Sequence, residues 1–156
     1  MNKERPPEFY YTNEQMVKDL LAITPSSGSV LDAGSGKNKV WFNNLSGEKY
    51  ECEIEDGCDF YKWDKKVDWV VGNPPFHESW RFFKKASEIA REGIAFLINN
   101  LAFNSWTPKR FQDFTEKGFY LQKIHIVADK RWFGRYYYLI FGREDKGLVS
   151  WSLNNY

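Results

Sequence analysis

The apolar positions of this 156-residue chain recur at two alternating periods, one helical and one extended. Met16, Val17, Leu20, Leu21 and Ile23 form a helical stripe behind Thr12 and Gln15, whose spacing of three predicts a capping box. Pro25-Ser26-Ser27-Gly28 ends that helix, and Val30-Leu31-Asp32-Ala33 predicts a short strand running into Gly34-Ser35-Gly36. Lys37 to Leu45 predicts a short helix or helical turn. Tyr50 to Ile54 predicts a second strand, in which Glu51, Glu53 and Glu55 alternate with Cys52 and Ile54, so that the acids share one face. Val67 to Val71 predicts a third strand, stopped by Gly72 and by Pro74-Pro75. Glu78 to Arg91 follows as an amphipathic helix with Trp80, Phe83, Ala86, Ile89 and Ala90 inward and Gly93 as its cap. The continuous apolar run Ile94 to Ile98 suits a central parallel strand. Pro108 to Lys117 predicts a helix closed by Gly118, and Phe119 to Val127 with Tyr136 to Phe141 a terminal hairpin.

Strands alternating with helices predict one α/β domain, a mostly parallel sheet with helices on both faces and an antiparallel strand added by the hairpin. In such sheets ligands bind outside the carboxyl ends of the strands. The glycines after Asp32, the acids after Tyr50, Asp59 and Asn73 all fall at those ends.

Composition changes this picture modestly. Aromatic residues make up 19% of the chain, enough to supply both core and stacking surfaces. The net charge of +1 excludes a simple polycation, but residues 1–75 hold 9 Lys/Arg against 13 Asp/Glu and residues 109–156 hold 9 against 5. A phosphate-rich partner would meet the basic end; solvated faces are the plainer reading. Cys52 and Cys58, without a His cluster, make no zinc site and are expected as reduced thiols. The polar first residues and the absence of any membrane-length apolar run predict a cytoplasmic chain with no membrane partner.

The chemistry concentrates at Asn73-Pro74-Pro75-Phe76. Two prolines fix the backbone and remove two amide donors, leaving a rigid turn that presents an amide, carbonyls and a ring. Gly34 and Gly36 allow close backbone approach to a ligand. Either Glu53 or Glu55 could accept a ribose diol, and Asp59 could accept from an adenine amino group. No role is assigned to His77 or His125.

The set resembles the S-adenosylmethionine-dependent amino-methyltransferases, in particular the N6-adenine branch and its small phage-type DNA members. Leu31-Asp32-Ala33-Gly34-Ser35-Gly36 is similar to the family's first motif, and Asn73-Pro74-Pro75-Phe76 matches its catalytic motif. Phe9-Tyr10-Tyr11-Thr12 resembles an aromatic-Thr motif near the cofactor's methionine end, with Asn13 where a proline usually follows. The resemblance implies a Rossmann-like methyltransferase sheet and S-adenosylmethionine as cofactor. The cofactor would be held by Tyr11, Thr12, Asp32, Gly34, Gly36, Glu53, Asp59, Phe60 and Asn73. It also implies transfer to the N6 amino group of adenine in DNA. Asn73 and Pro74 would accept its hydrogens, and Phe76 would stack on a flipped-out base. Phe76 is otherwise a core aromatic.

Only about a dozen residues, 56–67, separate the second strand from the strand leading to Asn73, so that region is expected to be reduced to a turn or a short strand. No separate target-recognition domain is expected. Specificity would then come from a partner, a homodimer or short loops: residues 102–110, or residues 129–135 with Lys130, Arg131, Trp132, Phe133 and Arg135. An RNA adenine methyltransferase shares the turn. A protein glutamine methyltransferase commonly has Tyr in place of Phe76. A degenerate nucleic-acid-binding scaffold is the non-enzymatic alternative.

Overall fold

The computed structural model describes residues 12–130, 134–154 and 156. Its spine is β3 (Val67–Gly72), with Val67, Trp69, Val70, Val71 and Gly72 all buried. A strand apolar on both faces needs neighbours on both edges and cover on both sides. β1 (Val30–Ala33) and β4 (Ala90–Asn99) supply the edges, both parallel to β3. β2 (Lys49–Cys52) lies parallel outside β1. On the far side β6 (Tyr136–Gly142) runs antiparallel to β4, and β5 (Tyr120–Val127) pairs with β6 as the edge strand. The order β2-β1-β3-β4-β6-β5 is the expected Rossmann-like sheet with its antiparallel hairpin strand.

Side chains alternate across this sheet into two cores. Val30, Trp69, Val71, Ala95, Leu97, Tyr138 and Ile140 pack with Val17 and Leu20 of α1 (Glu14–Ala22) and Trp41 of α2 (Val40–Asn44). The opposite face packs on α3 (Ser79–Ile89), α4 (Asn100–Asn104) and α5 (Pro108–Glu116). That second core absorbs much of the aromatic excess. The Phe83 ring lies 4.9 Å from Phe96, 5.0 Å from Trp106, 5.6 Å from Phe141 and 6.0 Å from Phe114. Each fully buried ring of this kind stabilises the fold by about 1.5–3 kcal/mol. The fully buried Tyr138 keeps its hydroxyl paired to Thr24 Oγ1 at 2.6 Å, and the Thr24 hydroxyl donates a hydrogen bond to the Leu20 carbonyl.

Between β2 and β3 the described chain forms two 3-10 turns, Ile54–Asp56 and Phe60–Lys62, and the middle is reduced as expected. An acid starts each turn by accepting a backbone N–H: Glu53 from Glu55 and Asp59 from Tyr61.

Three expectations need correction. The cap of α1 is Asn13, whose Oδ1 accepts from Met16 N at 3.1 Å; Gln15 bonds Asp19 instead, and Thr12 turns elsewhere. Gly93 caps no helix. It lies inside β4 opposite Trp69, where a Cβ would meet the indole at 2.3 Å, so the glycine makes room for a buried ring. Trp80 is half-buried and packs inward as expected, against Trp106 and Phe114, and Phe82 is buried beside it. Residues 102–110 are not an open loop. Asn99 caps α4, Trp106 is buried among five aromatic rings, and Thr107 with Pro108 starts α5. Among the described residues no helix is long and apolar enough to cross a membrane.

Candidate active site

The glycine loop leaves β1 with Gly34 at φ 67° and Gly36 at φ 72°, a region that favours glycine. A Cβ on Gly34 would press the Phe82 ring at 3.3 Å, whereas Gly36 faces open space. The loop is clipped to β2: Ser35 N donates to the Cys52 carbonyl at 2.9 Å, and Ser35 Oγ donates to Glu51 at 2.6 Å. Lys39 holds Glu51 at 2.6 Å and Asp56 at 3.0 Å.

Asp32 lies beneath this loop, fully buried, and does not line the cleft. Its Oδ2 accepts Phe42 N at 3.1 Å and so ties β1 to α2, while Oδ1 has no partner among the described residues. Burial pushes its carboxyl up to about 8, with Glu51 and Glu53 adding to the rise and the Phe42 N–H and Lys39 opposing it.

β2 ends at Cys52, so Glu53 and Glu55 do not share a strand face as alternation predicted. Glu53 is buried; Oε2 accepts Gly36 N at 2.6 Å and Oε1 accepts Glu55 N at 3.3 Å. Glu55 is exposed, though it also lines the cleft. Each Glu53 oxygen retains a lone pair beyond its backbone bond, which suits it to accept a diol. Cys52 and Cys58, expected as separate reduced thiols, are joined as a disulfide with Cα atoms 5.2 Å apart. The intervening turn folds the chain back, with Gly57 at φ 86° and Cys58 N donating to the Glu53 carbonyl at 3.0 Å. Both cysteines line the cleft, as do Asp59 and Phe60; Phe60 packs on Phe82 at 4.8 Å. Ile54 also lines the cleft while 61% exposed.

The Asn73 turn closes the other wall. Gly72, at φ 143°, lets β3 pass β1 where a Cβ would stand 2.9 Å from the Ala33 carbonyl. Asn73 Nδ2 donates to Thr12 Oγ1 at 3.0 Å, and Asn73 Oδ1 is buried without a partner among the described residues. The Pro75 carbonyl accepts Glu78 N at 3.0 Å, whereas no backbone donor among the described residues reaches the Pro74 carbonyl. Phe76 is half-buried, packs against both cores and lies 5.9 Å from the Tyr136 ring.

The cleft measures about 400 Å³, within the size range of small-molecule sites. Gly34, Gly36, Glu53, Asp59, Phe60 and Asn73 to Phe76 are brought together around it, and Thr12 reaches it through Asn73. Sequence reasoning missed Tyr61 and Glu78, which bond to each other at 3.2 Å on its rim, because nothing in their spacing marks them. Lys130 and Arg135 are exposed at the connection between β5 and β6. Tyr136 pairs with Asn99 at the carboxyl end of β4, so Arg135 lies at the same end of the sheet as the Asn73 turn. Tyr11, Arg131, Trp132 and Phe133 lie outside the described residues. Among the described residues no cluster of three or more His, Cys, Asp or Glu could hold a metal ion.

No protein-family model matches the chain, and no curated protein matches it in sequence. Solved structures do match in fold. One is a class I S-adenosylmethionine-dependent methyltransferase from Listeria monocytogenes, so described provisionally, with a TM-score of 0.64 at 13% identity, covering 99% of this chain and 67% of that one. An RNA methyltransferase from Pyrococcus horikoshii, also assigned provisionally, superposes with a TM-score of 0.63 at 18% identity, covering 90% and 91%. A magnesium protoporphyrin IX methyltransferase from Synechocystis with bound S-adenosylmethionine gives 0.61 at 13% identity, covering 84% and 79%. The fold is that of Rossmann-like methyltransferases.

Proposed function

We propose that the cleft binds S-adenosylmethionine and that the chain transfers a methyl group to the N6 amino group of adenine in DNA. The observation that carries this reading is a pair of acceptors at one rigid turn, the buried Asn73 Oδ1 without a partner among the described residues and the Pro74 carbonyl without a backbone donor among them. A buried polar atom without a partner costs about 1–3 kcal/mol, so its retention at a cleft points to a ligand that supplies the missing donor. Adenine's amino group brings two N–H donors to two acceptors.

The cleft fits the cofactor on its own geometry. Gly36 offers a backbone edge facing open space, Glu53 keeps lone pairs for the ribose hydroxyls, and exposed Ile54 with Phe60 offers apolar surface for the adenine ring. When bound, the cofactor supplies an electrophilic methyl group on a sulfonium. The protein's part is to prepare the nucleophile. The amino lone pair of adenine is delocalised into the ring; accepting both hydrogens at Asn73 and Pro74 lets the nitrogen pyramidalise and localises that pair. Pro74 and Pro75 hold the two acceptors without further ordering, which is where such a site gains its rate. Phe76 offers a ring to the base, and a base within a duplex must be flipped out to reach it.

The exposed Lys130 and Arg135 at the same end of the sheet favour a nucleic acid over a protein substrate. RNA is the second reading, favoured by the likeness over nine-tenths of both chains to the Pyrococcus protein described as an RNA methyltransferase. The test incubates the protein with the cofactor and unmethylated DNA or RNA, single- and double-stranded, then digests to nucleosides for mass spectrometry. N6-methyldeoxyadenosine is the expected product. N6-methyladenosine alone would move the substrate to RNA, and label found only in protein would overturn the reading.

A further inference from the structure

Methyl transfer at Asn73 requires its side-chain amide to present oxygen rather than nitrogen to the amino group. An amide rotated by a half-turn would offer two donors to two donors, and the site would repel its substrate. Among the described residues, the partner that holds the amide is Thr12, whose hydroxyl oxygen accepts from Asn73 Nδ2 at 3.0 Å.

We propose that Thr12 is a positioning residue that, by accepting from Nδ2, holds the Asn73 amide with Oδ1 free to accept from the reacting nitrogen. This assignment rests on the methyl-transfer reading above. Three observations carry it. The two residues are 61 positions apart, so the bond joins the start of the described chain to the turn after β3 and is not a local accident of one loop. Thr12 is only 8% exposed, which shields the bond from water and strengthens it. Thr12 stands one residue before Asn13, which caps the helix that begins at Glu14 through Met16 N. The Thr12 hydroxyl is left for Asn73. With Nδ2 held, Oδ1 is the atom left buried and without a partner among the described residues.

A residue that merely bound cofactor or packed the core would behave differently from one that orients an amide. Thr12→Val keeps the shape and removes the acceptor. It is expected to lower kcat about 100-fold, the scale of a misplaced reacting group, with cofactor Kd and substrate KM within about threefold of wild type. Thr12→Ser, which keeps the hydroxyl, is expected to restore kcat to within about threefold. A fall in cofactor affinity matching the fall in kcat, or a Thr12→Val enzyme with unchanged kcat, overturns the assignment.

A readout independent of turnover separates this proposal from the reading beneath it. The Asn73 side-chain amide resonances, assigned by their loss in Asn73→Asp, are expected to shift and lose protection from solvent exchange in Thr12→Val and to be retained in Thr12→Ser. Unchanged Asn73 resonances in Thr12→Val overturn the positioning role even if wild type transfers methyl groups. Should Thr12→Val not fold, Thr12→Ala is read by the same two measurements. Resonance changes in Thr12→Val beside a wild type that never methylates nucleic acid count against the methyl-transfer reading and leave the bond's positioning role standing.

Discussion

Glu53 Oε2 accepts the backbone N–H of Gly36 at 2.6 Å, which ties the end of β2 to the glycine loop after β1. One carboxylate thus shapes two walls of the cleft, since its other oxygen accepts Glu55 N. Glu53→Gln keeps the volume but sets an amide N–H against one of these backbone donors. Hydrogen bonds to a charged group are worth about 1.5–3 kcal/mol, so cofactor affinity by calorimetry is expected to fall about 10- to 100-fold. Unaltered affinity would remove Glu53 from the binding site and leave exposed Glu55 as the candidate.

Asp32 makes stability depend on pH in an unusual direction. Its carboxyl titrates near 8 in the fold, against the ordinary carboxylate range when unfolded, because burial disfavours its charge. The folded state therefore binds more protons than the unfolded state between about pH 4 and pH 8, and stability falls as pH rises through that window. Asp32→Asn removes the titration while an amide oxygen can still accept Phe42 N. Chemical denaturation at a series of pH values is expected to show the variant gaining on wild type from pH 4 to pH 8. Parallel pH profiles for the two proteins would contradict the account.

Gly93→Ala tests the correction made in β4. The added Cβ would lie 2.3–2.6 Å from ring carbons of Trp69, itself only 5% exposed. Overpacking of this kind costs about 1–3 kcal/mol, so a melting temperature lower by several degrees is expected. An unchanged melting temperature would mean that the indole has room to move.

Much of the fold was legible because its signals are local: the apolar run of β4, the Gly-Pro-Pro stop after β3 and the terminal hairpin all announce themselves within a few residues. The contributors to the cleft at strand ends were legible for the same reason. What escaped was competition and distance. Thr12 and Asn13 are both good caps, and spacing alone cannot say that Asn13 wins and frees Thr12 for a residue 61 positions away. Gly93 read as a helix end because its reason for being glycine, the Trp69 ring, comes from another strand. Cys52 and Cys58 read as separate because strand alternation was carried past Cys52, where a 3-10 turn instead folds them together.

The central claim is that Asn73 Oδ1 prepares an adenine amino group for methyl transfer, and one comparison tests it most directly. Wild type and Asn73→Ala are given methyl-labelled cofactor and unmethylated DNA in single-turnover reactions, with N6-methyldeoxyadenosine counted by mass spectrometry and cofactor affinity measured in parallel. Loss of a preorganised acceptor is expected to slow transfer in Asn73→Ala by about 100-fold or more, with cofactor affinity within about threefold of wild type. Methylation by Asn73→Ala at close to the wild-type rate would contradict the account.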